Sequence, residues 1–321
     1  MNKYALIIPA ILAVGIGIGY AATVAASPSS GQTETTPTTT VTVAIQPTAN
    51  AAEIQSQATE LESYLERETG YNIDIYVPTS YAGMVEALRF GQADVAFMSA
   101  WPTYLAVQKA GATLELAEVR QVIIGDDAVE ETFYYSYWVT KPGAPYQSLE
   151  DLEGAKAAFP SPLSTSGYVI PMKTLVDEGL VTVPQGGTID PKTYFSEVLF
   201  AGGYAQGWEA LKNDQVDVSI IAGDVSESLY REVLANTKVI QEQGPIPSHG
   251  VVFSKDVDPQ VKQNLKAALL KLGQDDASRE IMKKLVSALF VGFRETTSEE
   301  HLTELTSALQ ITGLSFTESL K

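Results

Sequence analysis

The sequence predicts an α/β fold with largely parallel sheets, and three observations support this prediction. Short runs rich in β-branched residues alternate with amphipathic stretches of helical length along most of the chain. Many of the helical stretches open at polar residues and close at Gly or Asn, as the helices of βαβ units do. No segment repeats at a fixed period, which argues against a solenoid. With 321 residues and 45% hydrophobic content, the chain is long enough for two domains with sizeable cores.

The first part of the folded region predicts two successive βαβ units. Residues 41–45 are a β-branched strand, and Asn50 and Glu53 have the spacing of a capping box before a helix that ends at Gly70. The elements that follow are a strand at 72–77, a helix at 81–90 closed by Gly91, and a strand at 94–98.

The alternation continues downstream and ends in a mainly helical region. The predicted elements are strands at 132–140, 155–159 and 216–221, helices at 168–179 and 204–213, and a helix that starts at Asp258-Pro259 and runs to about 272. Two further helical stretches follow that helix.

The first 40 residues predict an export segment followed by a tether. Lys3 precedes an uncharged, apolar run over residues 5–26 that is just long enough to cross a bilayer. Small residues at 24–26 suit cleavage by a signal peptidase, while the length of the run also suits an uncleaved membrane anchor. Residues 27–40 are mostly Ser, Thr, Pro and Gly, which predicts a flexible linker. We therefore expect an exported protein on the outer side of the cell membrane.

Charge and composition exclude several classes of protein. The net charge of −18 repels phosphate backbones, so no nucleic-acid partner is expected. The chain has no cysteine, which excludes disulfides, thiolate zinc sites and iron–sulfur clusters. It has two histidines, His249 and His301, and no calcium-loop spacing. We expect no metal and no cofactor, and we place His301 in a surface helix.

Catalytic motifs are missing from the sequence. It contains neither a G-x-S-x-G elbow nor a G-x-x-x-x-G-K-[ST] loop, and the scarcity of histidine leaves few candidate bases. Adjacent acids such as Asp126 and Asp127 are typical of the solvated surface of an acidic protein. The chain is therefore predicted to be a binding protein with no catalytic residues.

Three strand-to-helix turns carry groups that suit an oxyanion. Ser164, Thr165 and Ser166 place hydroxyls and unpaired backbone N–H groups at the positive end of a helix. The Gly202-Gly203 pair precedes Tyr204, and polar residues precede the helix that begins at Tyr81. One such turn is equally well explained as a helix cap. Three of them in one α/β chain favour an anion held between two lobes.

The order and spacing of these motifs resemble the periplasmic phosphonate-binding proteins of ABC importers and their relatives for phosphite and similar oxyanions. The resemblance covers roughly residues 41–290, and its most specific piece is STSG at 164–167 after SLEDLEG at 148–154. The other pieces are VTVAIQPT at 41–48, MVEALRFGQADVAFMS at 84–99, PKTYFSEVLFAGGY at 191–204, NDQVDVSIIAGD at 213–224 and IPSHGVVFSKDVDP at 246–259.

The resemblance implies a two-lobed periplasmic-binding-protein fold of type II. Its hinge would be crossed twice, and the ligand would lie in the cleft between the lobes. One lobe is expected at 41–133 plus 249–321, and the other at 134–248. Closure of the cleft would present the loaded protein to an ABC permease, which works with separate ATPase subunits.

The resemblance also implies the ligand-binding residues. Ser164, Thr165 and Ser166 match the box that grips the phosphorus oxygens in the family. Tyr81 matches a tyrosine at the start of a helix, and Tyr135 matches an aromatic residue that begins the crossing strand, with Tyr134 as the alternative register.

Two departures from the family pattern concern the ligand. Tyr204 stands where the family commonly has a histidine, and His249 stands where it commonly has an acidic residue, while Asp224 matches the other cleft carboxylate. One carboxylate fewer argues against an amino-bearing ligand and favours phosphate, phosphite or a simple alkylphosphonate. Asp224 would then accept a P–O–H proton, and His249 would donate a hydrogen bond or carry a positive charge.

Two alternatives remain open at this stage. The same fold would serve a receptor for another small anion, such as a sulfonate. It would also serve an extracellular sensor domain that reports its ligand to a membrane partner.

Overall fold

The computed structural model describes residues 39–48, 51–285 and 287–315, which belong to one compact unit of the chain. The predicted export segment and nearly all of the predicted linker lie outside the described residues. Within those ranges, no helix is both long and apolar enough to cross a membrane.

Twelve strands form two sheets in the described part of the chain. The strands of the first sheet are β1 (Thr40–Ile45), β2 (Asn72–Tyr76), β3 (Val95–Met98), β4 (Thr113–Ile124), β5 (Asp127–Glu131), β11 (Gly250–Phe253) and β12 (Phe290–Glu295). Those of the second sheet are β6 (Phe133–Thr140), β7 (Lys156–Phe159), β8 (Glu197–Phe200), β9 (Val218–Ala222) and β10 (Lys238–Pro247).

Helices flank both sheets, and most of those predicted from the sequence are present. In chain order they are α1 (Ala51–Thr69), α2 (Tyr81–Arg89), α3 (Ala100–Leu105), α4 (Ile170–Asp177), α5 (Tyr204–Lys212), α6 (Glu227–Asn236), α7 (Pro259–Lys271), α8 (Asp276–Leu285), α9 (Ser298–His301) and α10 (Thr303–Thr312).

Both sheets are mixed, so the expectation of largely parallel sheets is wrong. In the first sheet, with the order β12-β4-β11-β3-β1-β2, only the pairs of β1 with β2 and β3 are parallel. In the second sheet, with the order β10-β6-β9-β7-β8, β7 pairs parallel with β8 and β9, and the pairs of β6 are antiparallel. The antiparallel pairs arise in two ways: β5 follows β4 in a tight hairpin, and β11 enters the first sheet between β3 and β4 after the chain returns from the second sheet.

The chain passes between the two sheets at short connections. It leaves the first sheet between β5 and β6 and returns between β10 and β11. After β12 it reaches the second sheet again, because α10 packs against α4 and β10. We call the elements around each sheet the first body and the second body.

An aromatic cluster in the second body holds the end of β7, where the predicted anion box begins. The Phe159 ring packs edge-on against Trp138 and Tyr168, with ring centroids 5.9 Å and 5.4 Å apart. Trp138 Nε1 donates a hydrogen bond to Gln243 Oε1 at 2.8 Å, so the buried indole keeps a polar partner. This packing fixes β7 and the turn that follows it.

The cap of α7 gives a direct test of the local structure in the first body. Asp258 accepts hydrogen bonds from the backbone N–H groups of Gln260 and Val261 at 2.8 Å and 3.2 Å. We expect Asp258→Ala to lower the free energy of unfolding by about 1 kcal/mol, measured by urea denaturation. Asp256→Ala is the matched control, because exposed Asp256 precedes the same helix without capping it. Equal losses in the two variants would contradict this role for the cap.

Candidate functional site

The turn that contains Ser164, Thr165 and Ser166 lies after β7 and leads through a wide helical turn into α4. All three side chains are fully buried. Ser164 Oγ accepts a hydrogen bond from the Gly167 N–H at 3.0 Å, so the capping interpretation left open by the sequence holds for this residue. A Cβ atom on Gly167 would lie 2.2 Å from Pro160 Cγ, which explains why glycine occupies the position.

Asp224 gathers hydroxyl groups from three elements of the second body. Its Oδ2 atom accepts hydrogen bonds from Ser166 Oγ at 2.9 Å and from Tyr134 Oη at 3.1 Å, and Tyr204 Oη lies 3.4 Å away. The Tyr204 and Ser166 hydroxyl oxygens are 2.5 Å apart, and Tyr204 Oη is 3.3 Å from Ser164 Oγ. The box and the two tyrosines therefore form one hydrogen-bonded group.

The first body contributes buried polar groups at the ends of neighbouring strands. Gln46 follows β1 and Ser99 follows β3, and the Gln46 side-chain oxygen accepts a hydrogen bond from the Ser99 N–H at 2.9 Å. Among the described residues, Gln46 Nε2, Ser99 Oγ and Tyr81 Oη have no hydrogen-bond partner although all three are buried. Buried donors without a protein partner are rare in folded proteins and point to a bound group that carries acceptor atoms.

The two bodies contact each other directly at this cluster. The Trp101 N–H donates to Thr165 Oγ1 at 2.8 Å, and the Tyr204 N–H donates to the carbonyl oxygen of Thr48 at 3.1 Å. A third contact joins the Ala288 N–H to the Val225 carbonyl oxygen at 2.7 Å. The structure thus has the two bodies closed over the buried groups.

Four charged or chargeable side chains lie together at the base of the cluster. They are Glu118 and Arg120 on β4, Asp224 after β9, and His249 before β11. Arg120 binds Glu118 Oε2 through Nε and Nη2 at 3.1 Å and 2.7 Å. The ring of His249 lies between two carboxylates, with Nδ1 3.6 Å from Glu118 Oε1 and Nε2 3.5 Å from Asp224 Oδ2.

The mutual attraction of these groups outweighs the effect of burial on their pKa values. Burial alone would raise the pKa of Glu118, but Arg120 and His249 lower it to about 2. Burial likewise opposes ionisation of Asp224, and His249 and Arg120 reverse the effect, so its pKa is lowered. Burial would lower the pKa of His249, yet Glu118 and Asp224 raise it above the ordinary value.

The buried tyrosines of the site remain hydrogen-bond donors. Burial, followed by the charge of Asp224, raises the pKa values of Tyr81, Tyr134 and Tyr204. All three hydroxyls therefore keep their protons at neutral pH. Tyr134 donates its proton to Asp224, whereas Tyr81 Oη has no partner among the described residues and can donate to an anion.

The structure brings together most of the residues predicted from the sequence. The side chains placed in or beside the cluster are those of Tyr81, Ser164, Thr165, Ser166, Tyr204, Asp224 and His249.

Tyr135 is the exception, because the residue that the structure places in the cluster is Tyr134, the alternative register. Neighbouring residues on a strand face opposite ways, so Tyr134 points into the cluster and Tyr135 points away. The half-buried Tyr135 ring packs edge-on against Phe133 at 6.1 Å and lies beside Gly244.

His301 also departs from its predicted position on the surface. It is buried, and its Nε2 lies 3.0 Å from the carbonyl oxygen of Ser248. Burial lowers its pKa, the opposite of the shift at His249.

Four residues of the cluster were not found from the sequence: Gln46, Ser99, Glu118 and Arg120. The first two follow adjacent parallel strands at their carboxyl ends, where ligand-binding groups commonly lie, so this rule could have found them. Glu118 and Arg120 gave no signal of this kind, because charged residues at alternate positions of a strand normally face solvent. Within the described residues, no group of three or more acidic or histidine side chains could hold a metal ion.

Two mixed α/β bodies joined by short crossings, with buried donors where they meet, are the arrangement of an extracytoplasmic solute-binding protein. The family model described as "ABC transporter, phosphonate, periplasmic substrate-binding protein" matches residues 43–301. The chain belongs to this family.

Individual relatives agree with this assignment. The phosphate-import protein PhnD of Mycolicibacterium smegmatis is 30% identical over 172 residues, which are 53% of this chain and 51% of that protein. The alignment thus spans about half the length of this relative. The phosphonates-binding periplasmic protein of Escherichia coli is 21% identical over 250 residues, which are 76% of this chain and 69% of that protein.

Solved structures share the fold at low sequence identity. A binding protein component of an ABC phosphonate transporter from Pseudomonas aeruginosa superposes with a TM-score of 0.70 at 20% identity, covering 85% of this chain and 87% of that one. PhnD1 from Prochlorococcus marinus, solved in complex with methylphosphonate, gives a TM-score of 0.68 at 14% identity, covering 84% and 97%.

The strand register of the site can be tested with two neighbouring tyrosines. Tyr134→Phe removes a hydroxyl that donates to buried Asp224, so we expect phosphonate affinity to fall about tenfold, equivalent to about 1.4 kcal/mol. Tyr135→Phe is the matched control and is expected to leave the affinity unchanged. Isothermal titration calorimetry with methylphosphonate measures both variants. A larger loss of affinity in Tyr135→Phe than in Tyr134→Phe would place Tyr135 in the site.

Proposed function

We propose that this protein captures a phosphorus oxyanion at the buried cluster and delivers it to an ABC permease with separate ATPase subunits, acting as a receptor without catalysis. The observation that carries the proposal is the set of buried donors without partners among the described residues, Gln46 Nε2, Ser99 Oγ and Tyr81 Oη. The Tyr81 hydroxyl links this set to the box, because it lies beside both Gln46 and Ser164. A tetrahedral oxyanion has several acceptor oxygens that point in different directions, so it can accept hydrogen bonds from several of these donors at once.

The ionised state of Asp224 favours a ligand that carries one proton. Asp224 Oδ1 is buried without a partner among the described residues and, as an ionised carboxylate, it can only accept a hydrogen bond. A P–O–H group supplies the matching donor. Phosphate, phosphite and simple alkylphosphonates can present this group, whereas sulfate has no proton to offer at neutral pH. The relatives are a phosphate-import protein, a phosphonates-binding protein and a protein solved in complex with methylphosphonate, and these ligands belong to the same chemical class.

Binding is proposed to act through closure of two lobes. The first lobe would contain residues 41–133 and the segment from 249 to β12, and the second would contain 134–248. Helix α10 packs on the second body, so we assign it there in preference to the first lobe. A ligand that contacts both lobes would stabilise the closed state that the permease recognises.

Residues 1–26 are proposed to direct export, as a signal peptide or as an anchor, and residues 27–40 to serve as a spacer. The folded protein would then work on the outer face of the cell membrane, as a periplasmic or membrane-tethered receptor.

Calorimetric titration tests the ligand class and the box together. We expect tight binding of at least one of phosphate, phosphite and methylphosphonate, and no heat with sulfate. Single Ala substitutions of Ser164, Thr165 and Ser166 are each expected to weaken binding at least about tenfold, the equivalent of about 1.4 kcal/mol.

The matched control for these substitutions is Ser196→Ala, whose hydroxyl bonds to the Ala155 carbonyl away from the cluster. Thermal unfolding separates lost binding from lost folding, since Ser164 also caps a helix. Unchanged affinity in all three variants would remove the box from the site.

Closure can be tested at Gly203, where the two bodies approach closely. A Cβ atom on Gly203 would lie 3.1 Å from the Thr48 carbonyl oxygen and 3.3 Å from that of Pro47, both in the other body. We expect Gly203→Ala to weaken ligand binding about tenfold and to reduce the ligand-induced compaction seen by small-angle X-ray scattering, because the added methyl group meets these two carbonyl oxygens only in the closed state. The same Cβ would also lie 2.5 Å from Gln206 Oε1 in its own body, which is the far end of a side chain that can turn aside. In Gly292→Ala, the control, the nearest atom to the new Cβ is 3.9 Å away. Full compaction in Gly203→Ala would argue against closure at this contact.

A further inference from the structure

The position of His249 is fixed by the sheet as well as by its side-chain contacts. The Glu118 N–H donates to the His249 carbonyl oxygen at 2.9 Å, and the next residues, Gly250 and Ala117, are paired in the register of β11 and β4. The imidazole is therefore held beside the Glu118 carboxylate by the backbone. Neither ring nitrogen has a hydrogen-bond partner within normal distance among the described residues, so the two carboxylates are its nearest polar neighbours.

Glu118 is itself held in place from the opposite side. Its Oε2 atom accepts from Arg120 and from Ser287 Oγ at 2.9 Å, which leaves Oε1 directed at His249. The Arg120 guanidinium stacks on the Tyr134 ring, with its central carbon 3.9 Å from the ring centroid. All of these ionised groups are fully buried, so water cannot screen their interactions.

We propose that His249, as an imidazolium held between Glu118 and Asp224, is a built-in cation that makes the site selective for phosphorus oxyanions with small uncharged substituents over their aminoalkyl analogues. Glu118 and Arg120 are positioning residues in this arrangement, since they act on the ligand through His249. The inference rests on the proposed function and names the ligand subclass of the same site.

A count of charges shows why the cation matters. With His249 protonated, the two carboxylates of Glu118 and Asp224 are balanced by the two cations Arg120 and His249, whereas loss of the imidazolium proton leaves one net negative charge beside an anionic ligand. An ammonium group on the ligand would need a carboxylate oxygen, and the buried oxygen of Asp224 that has no partner among the described residues is Oδ1. The other oxygen of the same carboxylate, Oδ2, is 3.5 Å from His249 Nε2, so the ammonium group would come close to the imidazolium. Like charges brought together in a buried site repel each other strongly.

Selectivity of this kind works by repulsion, because the protein itself supplies the positive charge that disfavours the ammonium-bearing ligand. The tyrosines and the second histidine around His249 add no charge to the site. Tyr134 and Tyr204 stay neutral beside Asp224. His301, on α9, contacts the Ser248 carbonyl with a lowered pKa and stays neutral at pH 7.

The test compares two ligands of nearly equal shape that differ in charge. Ethylphosphonate and aminomethylphosphonate differ by a methyl group in place of an ammonium group. We expect the full-length wild-type protein to bind ethylphosphonate at least about tenfold more tightly, measured by calorimetry at pH 7. His249→Gln keeps a side chain of similar length without the charge, and we expect the ratio to shrink to within about threefold or to reverse.

The positioning role of Glu118 has its own readout in the pH profile. His249 has a raised pKa, so its charge is complete below that pKa, and the selectivity ratio should fall as the pH rises through it. Glu118→Gln removes the negative charge that favours the imidazolium, so the fall should move to lower pH. Glu115→Gln is the matched control on the same strand, since Glu115 pairs with Lys262 and Lys266 away from the site. NMR titration of the two histidines gives the same pKa change without any ligand.

Each result decides between the two proposals. Binding of none of the phosphonates, phosphite or phosphate by the wild type would overturn the proposed function. Binding of methylphosphonate with equal or tighter binding of aminomethylphosphonate than ethylphosphonate would leave that function standing and overturn the built-in cation. An unchanged ratio of ethylphosphonate to aminomethylphosphonate affinity in folded His249→Gln would also overturn the built-in cation. So would a wild-type protein that binds methylphosphonate but neither of these two larger ligands. If neither variant folds, the pH profile of the wild type decides. A selectivity ratio that does not fall as the pH rises would overturn the inference.

Discussion

The buried carboxylate of Asp224 is the group on which the organisation of the site depends. An isolated carboxylate in a protein interior is costly, and it persists only where hydrogen bonds and opposite charges compensate it. Here Ser166 and Tyr134 donate to one of its oxygens, and His249 approaches the same oxygen from the other body. The groups that compensate Asp224 are therefore also the groups that line the site, and the second oxygen is left for a ligand.

The same constraint links ligand binding to the contact between the bodies. Asp224 and the box belong to the second body, while His249, Glu118 and Arg120 border the first sheet. Opening the two bodies would separate His249 from Asp224 and admit water to both. The charged pair thus favours closure, but the direct backbone contacts across the junction are few, as with Trp101 to Thr165 and Tyr204 to Thr48. A ligand that satisfies the remaining donors on both sides can decide the balance.

Much of the fold and part of the site could be predicted from the sequence, for physical reasons that differ by residue. Ser164 to Ser166 and Tyr204 could be predicted because they lie at strand-to-helix turns, which cap residues and glycines mark in the local sequence. Sheet direction was predicted wrongly, since hairpins and hinge crossings depend on long-range pairing that local pattern does not encode. The choice between Tyr134 and Tyr135 could not be made from the sequence, because side chains alternate along a strand and a shift of one residue in the predicted register exchanges the two faces. Glu118 and Arg120 were missed because their burial depends on a partner, His249, that lies more than a hundred residues away in the sequence.

The distribution of charge explains how an acidic protein can bind an anion. The net charge of −18 is spread over a solvated surface, where salt screens it within about 10 Å. In the closed site the nearest groups are neutral hydroxyls, amide donors and a set of four ions that sum to zero when His249 is protonated. These groups are buried and unscreened, so the local field at the ligand is set by a few oriented dipoles and by His249. The surface charge then governs solubility, while the proton on one imidazole governs whether the site attracts or repels its ligand.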